Sequence, residues 1–351
     1  MKKDITIGMD LGDLKQEICV LDSEGNVIEV AQVGNTKEAL GKWFGKRPPA
    51  RVALEAGTCS GWISRLLESQ GHETIVAQPR KLKAIWGSDH KTDVTDAEML
   101  ARLARVDVKL LSPIKHRGET AQVALMNIRA RDGLVQTRTK LVNQVRGLAK
   151  SMGHRFPKCD ACYFVRHARA AMPEELCAAL TPLLEVIEQV GERIRGYDKT
   201  VKQMAKNEYP ETICLTRVYG VSHLTALAFI LTIDDPRRFN HSREVGPYLG
   251  LVPRKDQSGR IDKQLRITKA GDAYVRRLLT GSAQCILKSN APDNYLRRKG
   301  ERIAARGGKN ARKRAVTAVS RSLAVLLHRL WVTQAEFEPQ GLSTVGLKKA
   351  V

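Results

Sequence analysis

The sequence predicts an α/β domain built on a mixed sheet, followed by a mostly α-helical second part. Three observations carry this. The first hundred residues read as three strands, a helix, and then strands and helices in alternation. Residues 117–152 hold one long helical pattern. From residue 207 onward the readable segments are helical, apart from a loop and short hairpin over 252–267.

Each element has a local reason. Residues 4–10 (DITIGMD) alternate apolar and polar, the period of a half-buried strand. Residues 16–21 (QEICVL) form a second strand, and the turn Ser23–Asn26 leads into a third, NVIEVAQV. Thr36 caps a short helix, TKEALGKWFG, with Glu38 in its first turn. RVALEA at 51–56 is a compact apolar strand, followed by a helix at 60–70 and the strand ETIVAQ at 73–78. Helices follow at 79–86 and 93–105. A three-strand meander followed by strand–helix crossovers gives a mixed sheet with helices on its faces. That order matches the ribonuclease-H-like fold, and also the actin-like ATPase fold, which shares its core.

In the long helix, Leu134, Leu141 and Leu148 are seven apart, as are Ile128, Val135 and Val142. The two sets form adjacent columns of one apolar stripe, so this helix pairs with another in coiled-coil fashion. Pro157 is expected to end it. Residues 173–206 continue amphipathic helix, with Leu183, Val186, Ile187, Val190 and Ile194 on one side. Gly220 separates two helical stretches, a turn that suits either backbone N–H contacts to phosphate or a tight helical hairpin. Helices are expected at 271–288 and 310–333, the latter opening on Lys309, Arg312, Lys313 and Arg314.

Charge narrows the function. The chain has 351 residues, 59 Lys+Arg against 37 Asp+Glu, and a net charge of +22. Residues 1–100 carry −2, 101–150 carry +8, 151–250 carry +1 and 251–351 carry +15. Charge segregated in this way points to a bound polyanion rather than a uniform soluble coat. A membrane is not the expected partner, because the most apolar run, Leu224 to Ile233, is ten residues and a spanning helix needs about 20. Asp4 interrupts any apolar start, so no secretory signal is predicted. Seven scattered cysteines suit a reducing cytoplasm better than a disulfide framework.

Four carboxylates form the candidate chemistry. Asp10 closes the first strand in GMDLG, and Glu55 closes the fourth in ALEAG. Asp93 and Asp96 open a helix in KTDVTDAEMLA, three apart and therefore on one face. Four oxygen donors suit Mg²⁺ or Mn²⁺, and two such ions can stabilise the attacking and leaving oxygens of a phosphodiester. Taken singly, each has a plainer role: a turn residue, a helix cap, a first-turn acid. Asp13 and Asp89 fit the spacing less well and read as surface.

GMDLG with Asp10, LEAG with Glu55 and the KTDxxDA motif together resemble the DEDD-type insertion-sequence transposases, the family that includes the Piv pilin-gene invertases. The stretch YLGLVPRKDQSGRIDKQLRITKAGDAYVRRLL resembles that family's C-terminal domain. The resemblance spans roughly 4–335. It implies a RuvC-like DEDD metal-binding domain over 1–110, a long-helix coiled-coil region over 111–206, a transposase domain over 207–340 and a tail at 341–351. It implies a metal site of Asp10, Glu55, Asp93 and Asp96, and a nucleophilic serine, Ser258. It further implies recombination of donor and target DNA, guidance by a structured non-coding RNA, and a homo-oligomer, a dimer of dimers whose active sites are shared between protomers. A cytoplasmic, nucleoid-associated protein of a bacterium or archaeon is the expected setting.

By local chemistry alone Ser258 is a turn serine before Gly259. A hydroxyl needs a base or metal to become a nucleophile, and no His is adjacent. Arg254, Lys255, Arg260 and Lys263 surround it and suit a scissile phosphate. Lys269, Arg276, Arg277, Arg312, Lys313 and Arg314 extend the expected nucleic-acid contacts. Tyr274 fits either nucleic acid or, with Leu278 and Leu279, an apolar helix face. Trp86 beside Lys81 and Lys83 could stack on a base, although a core role is more common. Cys159 and Cys162, with His154 and His167 nearby, form a thin zinc signal.

Three other classes compete. An actin-like sugar kinase or ATPase also starts on a GMDLG-like phosphate loop, but the second Asp-Gly-rich loop it needs is not found after residue 110. A stand-alone RuvC-type junction nuclease has no need of a basic C-terminal half. A non-catalytic nucleic-acid-binding protein leaves Glu55 and the Asp93/Asp96 pair unexplained.

Overall fold

The computed structural model describes residues 5–85, 92–258 and 261–340. Trp86, Asp89, Arg260, Gly259 and the 341–351 tail lie outside the described residues, as does the side chain of Lys83. The chain divides into two compact units, residues 1–117 and 118–351.

The first unit is a five-stranded mixed sheet with helices on both faces, as a ribonuclease-H-like domain requires. Strands β1 (Thr6–Leu11), β2 (Lys15–Leu21) and β3 (Val27–Gly34) form the antiparallel meander. Helix α1 (Lys37–Phe44) precedes β4 (Arg51–Glu55), α2 (Ser60–Ser69) precedes β5 (Glu73–Ala77), and α3 (Pro79–Ile85) and α4 (Asp93–Val106) complete the unit. The order across the sheet is β3-β2-β1-β4-β5, with β1, β4 and β5 parallel. Thr36 caps α1 by accepting from Ala39 N at 3.1 Å. Ile7, Met9, Val52 and Leu54 face α1 and α2, where they bury Phe44, Ile63 and Leu67. Each fully buried side chain of this kind contributes roughly 1.5–3 kcal/mol. Alternate residues of the same strands face α4.

The second unit is helical. Helices α5 (Glu119–Ser151) and α7 (Glu174–Asn207) run antiparallel, with α6 (Phe164–Ala170) between them. Their pairing runs along α7, whose Ile187, Gly191 and Ile194 are buried at mid-helix, and gathers into a cluster at each end. Val142, Val145 and Ala149 pack on Leu180, Leu184 and Ile187 at one end, and Ala124 and Ile128 join Val201 and Met204 at the other. Leu134 and Val135 are only half-buried, and Leu148 is exposed, so the heptad columns overstate the contact. Helix α5 stops at Ser151 rather than at Pro157. Gly153 adopts φ +84, and His154 N donates back to Ala149 O at 2.9 Å, a glycine-terminated helix end.

The rest of the unit comprises α8 (Thr212–Thr216), α9 (His223–Ile233), α10 (Val245–Tyr248), the hairpin strands β6 (Pro253–Ser258) and β7 (Ile261–Ile267), and helices α11 (Ala273–Ile286), α12 (Tyr295–Ala305) and α13 (Ala311–Thr333). Helix α12 has no counterpart in the sequence reading. Helix α9 is apolar all round and buried along its length, the pattern of a central core helix. Gly220 packs against α11, where a Cβ would stand 2.9 Å from Ser282 O, so its turn serves packing. Helix α13 is long and apolar enough to cross a membrane, unlike the ten-residue run noted in the sequence. More than half of that window, 56%, is buried in the protein, with Leu323, Leu327 and Leu330 in the core.

Candidate functional site

Four carboxylates of the first unit, Asp10, Glu55, Asp93 and Asp96, lie toward one corner of the sheet. Strands β1 and β4 pair in parallel with Gly8 opposite Ala53 and Met9 opposite Leu54. Asp10 and Glu55 occupy the next position along. Side chains alternate across a strand, and Ile7, Met9, Val52 and Leu54 point to the α1/α2 face. Asp10 and Glu55 therefore belong to the opposite face, the one α4 covers.

Helix α4 runs antiparallel to these strands. Near its C-terminal end, Arg102 donates to Gly25 O at 3.2 Å and Arg105 to Ser23 O, at the β2–β3 turn. Arg51, at the start of β4, donates to Ala104 O at 3.2 Å. The N-terminus of α4 consequently lies over the C-terminal ends of β1 and β4. On the helix, Asp93, Ala97 and Ala101 form one column, and Ala97 and Ala101 pack on Gly8 and Cys19. Asp96, Leu100 and Ala104 form the next column, and Leu100 and Ala104 pack on Ala53. Asp93 thus continues toward Asp10, and Asp96 toward Glu55.

The capping question also has an answer. Thr92, not Asp93, is the N-cap: its hydroxyl accepts from Thr95 N at 3.2 Å, and Thr92 N donates to the Thr95 hydroxyl at 3.1 Å. Asp93 is exposed, Asp10, Glu55 and Asp96 are half-buried, and Oδ1 of Asp96 is closed off from solvent. A fifth carboxylate sits beside them. Glu17 pairs with Asp10 across the β1–β2 ladder and shares the α4 face with Cys19 and Leu21. Gln32 holds it, donating to Oε1 at 2.5 Å. Only the strand register could have found Glu17. Among the described residues, no three acidic, His or Cys groups form a compact ligand set; the carboxylates share a corner rather than a common centre. The donors are hard oxygens on one face, which is the chemistry a divalent cation takes.

In the second unit Ser258 is the last residue of β6, exposed at the end of a two-stranded ribbon. Ser258 pairs with Ile261, Asp256 with Lys263 and Lys255 with Gln264. Lys263 therefore shares a ribbon face with Ser258, while Lys255 lies on the other. Arg254, Lys255 and Lys263 are all exposed.

The foot of the ribbon is tightly built. Gly250 (φ +67) and Gly271 (φ +65) are in the left-handed region, and a Cβ at Gly271 would stand 2.1 Å from Tyr248 O. Arg276 donates to Leu249 O at 3.0 Å, to Gly271 O at 3.2 Å and also to Ala270 O. Asp272 caps α11, accepting from Tyr274 N and Val275 N at 2.9 Å each, and pairs with Arg129 of α5. Arg277 pairs with Asp132, which pushes its pKa up. Tyr274 is buried between Arg129 and Arg277, so the apolar-face reading describes it.

The other expected contacts divide in the same way. Arg314 donates to Lys309 O at 3.1 Å and Gly307 O at 2.7 Å. Lys269, Arg312 and Lys313 are exposed, with no ion pair among the described residues. Cys159 packs in a small core and accepts from Arg146 at 3.7 Å, while His154 pairs with Glu175. Nothing gathers these into a zinc site among the described residues.

Comparison with known proteins defines the class. Residues 7–153 match a family described as Transposase, of DEDD type, and residues 213–297 match one described as Transposase IS116/IS110/IS902 family. The chain is 28% identical over 289 residues to a probable family 20 transposase of Pseudomonas aeruginosa, covering 80% of this chain and 84% of the relative. It is 28% identical over 298 residues to the transposase for insertion sequence element IS1111A of Coxiella burnetii, covering 82% and 79%. It is 27% identical over 289 residues to the transposase for insertion sequence element IS1328 of Yersinia enterocolitica, covering 80% and 84%. This protein is an enzyme that recombines DNA, a transposase. The chain belongs to the DEDD-type IS110/IS116/IS902 family of insertion-sequence transposases, which implies DNA substrates and a divalent-metal requirement.

Proposed function

We propose that this transposase cuts and rejoins donor and target DNA with a divalent metal held by Asp10, Glu55, Asp93 and Asp96, and with Ser258 as nucleophile. The observation that supports the metal site most is the direction of α4, whose N-terminus lies over the strand ends that carry Asp10 and Glu55. Bound Mg²⁺ or Mn²⁺ would offset negative charge developing on the phosphate and leaving oxygens. The chain's own residues supply the remainder. Ser258 Oγ attacks phosphorus, a serine–phosphate ester forms, and the bond to a deoxyribose oxygen breaks. That oxygen leaves as a hydroxyl, taking the proton that serine gives up. Resealing reverses the exchange with the hydroxyl of a new strand, so the energy of the phosphodiester is conserved.

Lys263, on the ribbon face of Ser258, and Arg254 neutralise the scissile phosphate. Lys255, Arg260, Lys269, Arg312 and Lys313 bind flanking phosphates, and Arg277 is held by Asp132. Arg276 and Arg314, with guanidinium groups on carbonyls, hold the frame that presents them. The functional division follows the chemistry: metal ligands in 1–110, a coiled-coil pair in 111–206, the serine in 207–340. The family resemblance supports guidance by a structured RNA and assembly as a dimer of dimers, and the +15 charge of 251–351 is compatible with gripping both polymers.

Ser258→Ala is expected to abolish a covalent protein–DNA adduct while leaving RNA binding intact; an adduct that survives refutes the nucleophile. Sequencing the RNA that copurifies with the protein tests the guide. A structured species with loops matching donor and target DNA supports it, and random RNA overturns it.

A further inference from the structure

Where the ribbon joins the helices, a pocket of about 470 Å³ opens between the ribbon foot, α11 and α13. We propose that it receives one unstacked nucleotide of the DNA strand that Ser258 attacks. This rests on the Ser258 reading above and adds to it a binding site.

The lining suits a nucleotide. Leu251 and Ile267 give an apolar wall for a base or sugar. Gln284 offers an amide donor and acceptor for a base edge. The volume lies in the usual range for small-ligand sites, about 300–1,000 Å³. Lys269 lines the rim, and Lys313 lies one turn before the lining residue Thr317, on the same face of α13. Neither lysine has a carboxylate partner among the described residues. A phosphate at the mouth would therefore meet uncompensated positive charge.

Two further features fit an occupant. Gly281 sits inside α11 and lines the pocket. An interior helical glycine is destabilising relative to alanine. A Cβ there would meet nothing within 4 Å, so the protein's own packing does not demand the glycine. Its missing side chain keeps the pocket deep. Lys269 has φ +55, a left-handed conformation that a lysine rarely takes. Its N–H donates to Gly250 O at 3.1 Å, which fixes the residue at the rim.

Position selects the strand. Leu251 and Ile267 flank the ribbon that ends on Ser258. The ribbon's seven-residue strand spans roughly 20 Å, about six nucleotide rises of B-form DNA. A strand lying along the ribbon reaches both the serine and the pocket.

The test uses the full protein with its copurified RNA and a duplex of the element's own end, with 2-aminopurine placed in turn at each position within about six nucleotides of the exchange point. All binding measurements are made in the Ser258→Ala background, where no bond is made. One position is expected to brighten several-fold. Gly281→Leu should abolish that brightening and, with Ser258 present, cut adduct yield by about tenfold, while melting temperature and RNA affinity stay unchanged. Gly281→Ala, which adds one methyl to the pocket floor, should weaken the brightening by less than Gly281→Leu does. Gln284→Leu, at an exposed position, should weaken the signal even if Gly281→Leu fails to fold. The proposal is overturned if no position brightens, if brightening persists in Gly281→Leu and Gln284→Leu, or if these variants lose RNA rather than DNA contacts. Failure of the nucleophile reading is seen separately, as an adduct that survives Ser258→Ala.

Discussion

A Cβ added to Gly8 would stand 1.9 Å from the carbonyl oxygen of Ala97 and 2.6 Å from Ala101 N. Helix α4 rests on strand β1 at this point with no room for a side chain. The contact sets the height of the helix over the sheet, and so the approach of Asp93 to Asp10. Gly8→Ala is expected to lift α4 and destabilise the first unit by about 1–3 kcal/mol. Denaturant melts should show the loss, and DNA cleavage should fall further than the unfolded fraction explains. DNA affinity should hold. Cleavage that tracks folding alone would show that the spacing is not critical.

Asp10→Ala should stop cleavage and spare DNA binding, because the basic charge lies elsewhere in the chain. Chelation of divalent ions should do the same, with activity restored by Mg²⁺ or Mn²⁺. A gel-shift assay beside a cleavage assay separates the two effects. Loss of binding in Asp10→Ala would contradict the division of labour between the acidic and basic parts of the chain.

Arg276 bonds the carbonyls of Leu249, Ala270 and Gly271. Replacing it with Ala leaves those carbonyls short of a donor, at a cost of about 1–3 kcal/mol. Arg276→Lys should rescue little, since an ammonium is a point charge without the planar fork. Adduct formation should drop in both variants, while the salt dependence of DNA binding stays unchanged. A shallower salt slope in Arg276→Ala would instead mean that this guanidinium meets phosphate.

Lys263 and Lys313 are exposed cations without ion pairs among the described residues. Neutralising each to Gln should lower the slope of log affinity against log salt by about 0.9 on duplex DNA. Fluorescence anisotropy across a salt series measures this directly. An unchanged slope would remove that lysine from the interface.

His328 is buried beneath the core, its Nδ1 2.9 Å from the Ser242 hydroxyl and its Nε2 2.9 Å from Pro236 O. Burial pushes its pKa down, opposed by the bond to Pro236 and by Glu244. The unfolded chain therefore takes up a proton before the folded one does. Stability is complete above the unfolded histidine pKa, about 6.5, and declines as pH falls below it. His116, lowered by burial and by Arg65 and Arg117, acts in the same direction. His328→Gln should flatten the decline of melting temperature with acidification; an unaltered profile would assign that dependence elsewhere.

Much of the molecule was legible in the chain. Period-two alternation marked β1, the turn Ser23–Asn26 marked β3, a compact apolar run marked β4, and Thr36 marked the start of α1. The lengths of α5 and α7 followed from their apolar spacing. Chain ends of strands and helices were harder. The long helix stops at Ser151 because Gly153, in the left-handed region four residues before the proline, turns the chain back so that His154 N meets the Ala149 carbonyl. Helix α12 was missed because Gly300 interrupts its short, strongly basic sequence, YLRRKGERIAA, and the close packing of that glycine on Leu287 and Val319 shows only in the folded chain.

The sequence by itself determined most of the elements, the charge map and the four carboxylates, because each depends on local chemistry along the chain. Tertiary structure alone decided how they meet. The direction of α4 and the register of β1 on β2 and β4 bring Asp10, Glu55, Asp93 and Asp96 to one corner and add Glu17. It also separated the cations: Arg276 and Arg314 turn to carbonyls and Arg277 to Asp132, while Lys263, Lys269 and Lys313 face outward. An arginine reads the same in sequence whether it meets phosphate or backbone. The nearest acceptor in space makes the distinction, and only the packed chain supplies it.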